Sequence, residues 1–321
     1  MVGFEKRILV TGGTGQQGIA SISQFRERGW NVRVLTRDPN SAKARLAASK
    51  GAELCVGDVQ DRSSLTSAIA GTSAVFCVVP LDTVASGKTA VVEQEVYDRQ
   101  VRGTSNVVDA AVAANVDHFI LSSANSADRN ISRNIHNKLR MEEYIRGTPL
   151  RATFLRPVSF MDNLVLPNYG LHQGIFTTAL MPGTRQQLIA AEDIGVFAAI
   201  MLERPHEGGI RILEIAGDDL TPVEMAAALS DALGRRIPYL QISSEMMFRI
   251  SENAGYTYAK INAGDITIVN IAELKKLHPG LQTMPDWLAN QGAEWLRPLL
   301  PQRPGGMLAA LPAWRLDSLS N

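Results

Sequence analysis

The sequence predicts an α/β fold, a Rossmann-type doubly wound parallel sheet with a smaller, partly interleaved C-terminal lobe. Two patterns carry this expectation. Short β-branched runs alternate with helical segments from the N-terminus, as βαβ units require. Composition then shifts after residue 156, where Pro157, Pro167, Gly170, Gly174, Pro182 and Gly183 crowd the chain.

Arg7 to Val10 reads as the first strand, Gln16 to Arg28 as a helix closed by Gly29, and Asn31 to Thr36 as the second strand. A helix over about 41–50 leads to a third strand at Leu54 to Val56. Asp61 caps a helix from Arg62 to Ala70, and Ala74 to Val79 forms the fourth strand. Pro80 halts it and opens a polar stretch to Lys88, before a long helix from Val91 to Ala114. His118 to Ser122 is the fifth strand, Asn137 to Arg146 a helix, and Ala152 to Leu155 the sixth strand. Beyond these, Asp193 to Glu203 reads as a helix returning to the first domain and Ile210 to Ala216 as a further strand. Thr221, Pro222 and Glu224 start a helix that continues through Met225 to Leu233.

The chain has 321 residues, with 32 lysines and arginines against 32 aspartates and glutamates. Without a basic excess, no direct contact with nucleic acid is expected. Cys55 and Cys77 sit in apolar runs and read as small fillers. The first apolar run is too short for a signal peptide, and glycines and prolines break the uncharged stretch from Asn163 to Thr184, so no membrane segment is expected. A cytoplasmic setting follows. The five histidines lack metal-ligand spacing with one another or with the cysteines, so no metal is expected.

The turn after the first strand reads Thr11-Gly12-Gly13-Thr14-Gly15-Gln16-Gln17-Gly18. Gly12 permits the tight turn, Gly15 lets a pyrophosphate approach the backbone, and Gly18 lets the helix lie close to the sheet. No Gly-Lys-Ser/Thr follows, which excludes a Walker A loop. Placed between strand and helix, Gly12, Thr14, Gly15, Gln16, Gln17 and Gly18 read as a dinucleotide site. Arg37, directly after the second strand, is the residue expected to take a 2′-phosphate; Asp38 competes for a ribose but precedes Pro39 and a helix that it can cap. The expected cofactor is therefore NADP(H), with Asp58 after the third strand and Val79 at the end of the fourth completing its contacts. The expected division is an NADP-binding domain over 1–156 joined by 188–204, a substrate or partner lobe over 157–300 and a loose tail over 301–321.

These residues, with Gly57-Asp58, the segment Val116 to Ser123, Lys138 before Glu142-Glu143-Tyr144, Leu155-Arg156-Pro157 followed by Phe160-Met161-x-Asn163, and Asp193-Ile194-Gly195, carry a family resemblance. Over roughly residues 5–260 the chain resembles the NmrA-like branch of the atypical short-chain dehydrogenases, related to isoflavone-reductase-like and NADPH:quinone-reductase-like proteins. The resemblance implies two lobes, a cofactor across the strand ends and a cleft between the lobes. It also implies two kinds of protein: NADPH-dependent reductases, and cofactor sensors that bind regulatory partners and turn over little.

Ordinary short-chain dehydrogenases use a tyrosine four residues before a lysine. Here Asn134 stands four before Lys138. The pair Tyr256 and Lys260 has the spacing but falls in the second lobe, and reads as coincidence. By the resemblance, Lys138 contacts the nicotinamide ribose or serves as acid or base; an exposed helix lysine paired with Glu142 is the alternative. Ser122 ends a strand where ligands sit and can polarise a carbonyl or cap a loop, while His136 can exchange a proton or serve the surface. Phe160, Met161 and Asn163 line the cleft by family position, with core packing the competing reading for the first two. The expectation is an NADPH-dependent oxidoreductase passing hydride to a small apolar carbonyl, quinone or enone. Its rivals are an NADP(H)-responsive regulator with a protein partner or a homodimer, and a non-redox isomerase or dehydratase.

Overall fold

The computed structural model describes residues 6–79, 90–129, 131–204 and 208–302. The expected polar stretch from Pro80 to Lys88 lies outside the described residues, as does the expected tail except for Pro301 and Gln302. The chain divides into two compact units. One takes the chain up to Pro157 together with Ala191–Ile215, and the other takes Val158–Ala190 and the chain from Ala216.

In the first unit, β1 (Arg7–Val10), α1 (Gln16–Glu27), β2 (Asn31–Thr36), α2 (Ala42–Ser49), β3 (Glu53–Val56), α3 (Arg62–Ile69), β4 (Ala74–Cys77), α4 (Ala90–Ala113), β5 (His118–Ser122), α5 (Arg133–Arg146) and β6 (Ala152–Pro157) follow in turn. The sheet has seven strands, all parallel, and the seventh is β10 (Ile210–Ile215), which adds beside β6. Their order across the sheet is β3-β2-β1-β4-β5-β6-β10. The strand order reverses between β1 and β4, and ligands of open α/β sheets bind at such a reversal, beyond the C-terminal strand ends. Helices cover both faces of a parallel sheet, so its central strands are apolar throughout: Ile8 to Val10 and Ala74 to Cys77 are all inaccessible to solvent.

Two local departures from the sequence reading have physical causes. The fourth strand stops at Cys77 rather than Val79, because Thr11 Oγ1 donates to the Val78 carbonyl and accepts the Val78 N–H, both at 3.0 Å. A side chain thus takes the ladder bonds that a longer strand would need. Helix α5 starts at Arg133, four residues before the expected Asn137: Ser132 is extended, and its carbonyl accepts His136 N–H at 2.8 Å as the first helical bond.

The segment that rejoins the first unit begins with α6 (Ala191–Glu203) and ends with β10. α6 lies so close on α1 that a Cβ on Gly195 would stand 2.8 Å from Ser21 Cα. The second unit holds β7 (Ser159–Phe160), β8 (Phe176–Thr178), β9 (Gln186–Ile189), β11 (Asp218–Leu220) and β12 (Tyr239–Gln241). They form a three-stranded sheet, β11-β9-β7, and a β12-β8 pair. Its helices begin with α7 (Pro222–Leu233), whose capping box joins Thr221 and Glu224. They continue with α8 (Ser244–Ile250), α9 (Glu252–Asn262), α10 (Ile271–Leu277), α11 (Met284–Trp287) and α12 (Ala293–Leu296). Met161, Leu188, Leu229 and Trp287 sit in its main core. Among the described residues no helix is long and apolar enough to cross a membrane.

Candidate active site

The turn between β1 and α1 is packed so closely that only glycines fit at its tightest points. Gly12 has φ +60°, and a Cβ there would fall 2.5 Å from the Val78 carbonyl oxygen. Gly18 is as tightly held, since its Cβ would meet Gly12 O and Gly13 Cα at 2.4 Å. Gly15 N–H donates to Gly12 O at 2.9 Å and closes the turn. Gly15 is also the N-cap of α1, and having no side chain it cannot satisfy the first-turn amides, which are the groups that bind a phosphate at a helix N-terminus.

Beside this turn lies a cavity of about 110 Å³. Gly12 and Thr14 contribute from the turn, Thr36 and Arg37 from the end of β2, residues 57–60 from the loop after β3, Val79 from beyond β4, and Val96, Arg99 and Gln100 from α4. Arg37 is exposed and forms no hydrogen bond or ion pair among the described residues. Asp58 Oδ1 accepts Gln60 N–H at 2.9 Å, which fixes its carboxylate in the loop. Asp38 is taken up in the same way: its Oδ1 accepts Asn40 N–H at 2.8 Å, while Ser41 rather than Asp38 caps α2. Gln100 is buried, gives its amide N–H to Val79 O at 2.8 Å, and leaves its Oε1 buried without a partner among the described residues. The sequence reading named Gly12, Thr14, Arg37, Asp58 and Val79 and missed Gln60, Arg99 and Gln100. Neither of the last two stands out in the sequence, since they are adjacent on α4, one exposed and one buried.

A second group of polar residues sits beyond the end of β5. Lys138, on α5, donates to the Ser122 carbonyl at 3.1 Å, and Ser122 Oγ donates to Gln17 Oε1 at 2.6 Å. Gln17 therefore ties the start of α1 to the end of β5. Desolvation lowers the Lys138 ammonium to a pKa of about 8, opposed by the nearby Cys77 and Glu142. Cys77 is wholly buried, and that burial pushes its thiol up to about 12, against Thr11 and Lys138.

A family model for the NmrA-like family matches residues 4–288. The chain belongs to the NmrA-like family. An NAD(P)H azoreductase of Xenophilus azovorans is 30% identical over 242 residues, spanning 74% of this chain and 78% of the relative. Among solved structures, the triphenylmethane reductase of Citrobacter sp. complexed with NADP(H) superposes with a TM-score of 0.69 at 24% identity, covering 88% of this chain and 99% of that one. The negative transcriptional regulator NmrA in complex with NADP has a TM-score of 0.70 at 19% identity, covering 90% and 95%. Proteins similar to this chain are thus named for NAD(P)H-linked reduction in one case and for transcriptional regulation, in a complex with NADP, in another.

In this NmrA-like protein Asn134 and Lys138 lie one turn apart on α5. Tyr256 packs edge-on against Phe248 with ring centroids 5.0 Å apart, and Lys260 binds Asp265 at 2.5 Å, so that spacing makes no Tyr–Lys pair. His136 is exposed in the first turn of α5, and His118 is buried with its Nε2 2.9 Å from Thr153 Oγ1. Phe160 and Asn163 are half-buried in the second unit, whereas Met161 is fully buried in that unit's core, a placement that serves packing. Among the described residues no cluster of three His, Cys, Asp or Glu side chains is placed to hold a metal.

Beneath the Lys138 site lies an ionic network that the sequence did not announce. Glu142 is inaccessible to solvent and accepts from Ser123 Oγ at 2.6 Å, from Arg156 Nε at 2.8 Å and Nη2 at 2.7 Å, and from Arg146 at 3.1 Å. Arg156 Nη1 also reaches Glu214 at 3.1 Å, and Asn125 donates to that carboxylate at 2.8 Å. The network joins α5, β6, β10 and the end of β5, which gives the arginine of Leu155-Arg156-Pro157 a structural role.

Proposed function

We propose that this protein is an NADPH-dependent reductase that delivers hydride to a small conjugated acceptor such as a quinone or an enone. The observation that carries the proposal is Arg37, which has no partner among the described residues and lines the same cavity as Gly12 and Thr14. An exposed guanidinium without an acidic partner, beside a turn that presents amides to a pyrophosphate, suits the extra phosphate on the adenosine ribose. The buried Gln100 Oε1 adds an acceptor in the wall of this cavity for an N–H group of the base.

When bound, the cofactor supplies the hydride. The chain supplies position and a proton. The α1 amides hold the pyrophosphate, Arg37 holds the 2′-phosphate, and Asp58, fixed by Gln60, borders the adenosine. Lys138 Nζ holds a proton that its lowered pKa makes easier to release near neutral pH, and Ser122 keeps that ammonium in place. Phe160 and Asn163 are proposed as substrate contacts.

The missing phenol favours acceptors whose reduced form is a delocalised anion. A quinone or enone gains the hydride and spreads the negative charge, so a weak acid such as the Lys138 ammonium suffices to protonate it. The azoreductase and triphenylmethane reductase relatives are named for other extended conjugated acceptors, which supports this class. A second reading, an NADP(H)-responsive regulator, is favoured by Asn134 and by the likeness to NmrA.

Calorimetric titration of wild type and Arg37→Ala with NADPH and NADH tests the cofactor: the variant should lose NADPH affinity selectively, and equal losses would refute the role. Single-turnover mixing with NADPH and a panel of quinones and enones tests the reductase. Oxidation of bound NADPH at enzyme-like rates supports it; tight binding without oxidation, together with altered partner capture, supports the regulator.

A further inference from the structure

The cavity beside the β1–α1 turn is lined by two arginines, and among the described residues neither guanidinium has a partner. Arg99 sits on α4, and its backbone carbonyl accepts Gln60 Nε2 at 2.8 Å, which fastens this turn of the helix to the loop after β3. One turn on, a Cβ at Gly103 would meet Gln60 Nε2 at 2.7 Å and Val59 Cγ2 at 2.9 Å. Helix and loop are thus as close as a bare backbone permits. The Arg99 residue is exposed, lines the cavity, and its guanidinium forms no hydrogen bond or ion pair among the described residues.

Its solitude is set by its neighbours. Glu95, four residues earlier, is the ordinary helical partner for an arginine at this place, but Arg102 takes that carboxylate at 2.7 Å. Asp98 is held by Arg140 at 3.0 Å and by Gln94 at 3.2 Å. Asp58 is the one acid among the described lining residues, and it accepts a backbone N–H and pairs with neither arginine. Two arginines bordering one small cavity make it a favourable place for an anion. A neutral base offers them no charge. A phosphate monoester does, because it carries close to two negative charges and three acceptor oxygens at neutral pH.

We propose that Arg99 is a second cation that reads the 2′-phosphate, so that specificity for the phosphorylated dinucleotide is set from β2 and α4 together. This rests on the NADP(H) reading above. The test is calorimetric titration of the full chain with adenosine 2′,5′-bisphosphate and with adenosine 5′-monophosphate, ligands that differ by the phosphate in question. Wild type should prefer the bisphosphate. Arg99→Ala should weaken the bisphosphate about tenfold and the monophosphate less than twofold, and Arg99→Lys should recover part of the loss, since it restores the charge without the bidentate fork. Unchanged thermal melting would show that the exposed substitution leaves the fold intact. Equal losses on both ligands would make Arg99 a contact to the base and overturn the proposal, as would no loss on either. If wild type itself shows no preference for the bisphosphate, the NADP(H) reading falls and takes this inference with it; if wild type prefers it and Arg99→Ala keeps the full preference, only this inference falls.

Discussion

Lys138 is held by the backbone of Ser122, not by its hydroxyl: Nζ donates to the carbonyl, while the hydroxyl donates to Gln17. The two ends of Ser122 therefore serve different partners. With its proton already given to Gln17, the hydroxyl has no second hydrogen to offer a substrate carbonyl. Ser122→Ala should accordingly lower kcat less than about tenfold and leave the alkaline limb of the pH profile where it was. A loss near a thousandfold in steady-state assays would make the hydroxyl a direct participant.

Removal of the lysine should act on both rate and stability. Lys138→Met should lower kcat by about a hundredfold or more, and the fall in wild-type activity above pH 8, where the ammonium is lost, should vanish from what remains. The stability effect has the opposite sign. The folded pKa of about 8 lies below the ordinary 10.5, so the fold disfavours the proton there. That cost is full below pH 8 and fades as pH rises toward 10.5, where the lysine is neutral folded or unfolded. The variant should thus melt above wild type at pH 7, with the gap closing between pH 8 and 10.5. A constant gap across that range in calorimetric scans would contradict a desolvated ammonium.

The first unit was legible because its signals are local. Parallel strands buried on both faces read as unbroken apolar runs, and the glycine turn announces itself between one such run and a helix. The Lys138 candidacy came from family position, but its lowered pKa comes from burial that no spacing encodes. In the second unit, β7 has two residues and β11 three, too few for any periodicity to register. The Glu142 network was equally hidden, since Arg156 and Glu214 lie 58 positions apart and meet only because β10 pairs with β6. Arg99 escaped notice for a related reason: Glu95 four residues before it suggests a routine surface pair, and only the structure reveals that Arg102 has taken that acid.

Gly12 combines a left-handed backbone with a contact that leaves no room for a methyl group. Gly12→Ala must relocate either the turn or the Val78 carbonyl, and Thr11 holds that carbonyl in place. The substitution should cost about 2 kcal/mol of stability and, on the proposal that the turn holds the pyrophosphate common to both, weaken NADPH and NADH alike. Urea unfolding and paired titrations check this, and a loss confined to NADPH would misplace the turn's role.

Glu142 tests whether the buried network supports the site or merely fills space. Its carboxylate takes two bonds from Arg156 and is wholly shielded from water, so Glu142→Gln leaves a buried guanidinium without its main counter-charge. Loss of one member of such a pair costs about 3 kcal/mol or more, and a clear drop in urea midpoint is expected. Arg156→Met should destabilise in a pH-dependent way. Burial already raises the Glu214 carboxyl, with Arg156 opposing that rise, so without the arginine its pKa climbs further. A raised carboxyl contributes stability below its unfolded pKa and loses it as pH rises through the folded value. The deficit of Arg156→Met should therefore be smaller at pH 5 than at pH 8, and the double substitution Glu142→Met with Arg156→Met should cost less than the two single losses added. Simple additivity in denaturant midpoints would show that the two side chains do not act as a pair, and the account of how β5 and β6 are locked beneath Lys138 would fail with it.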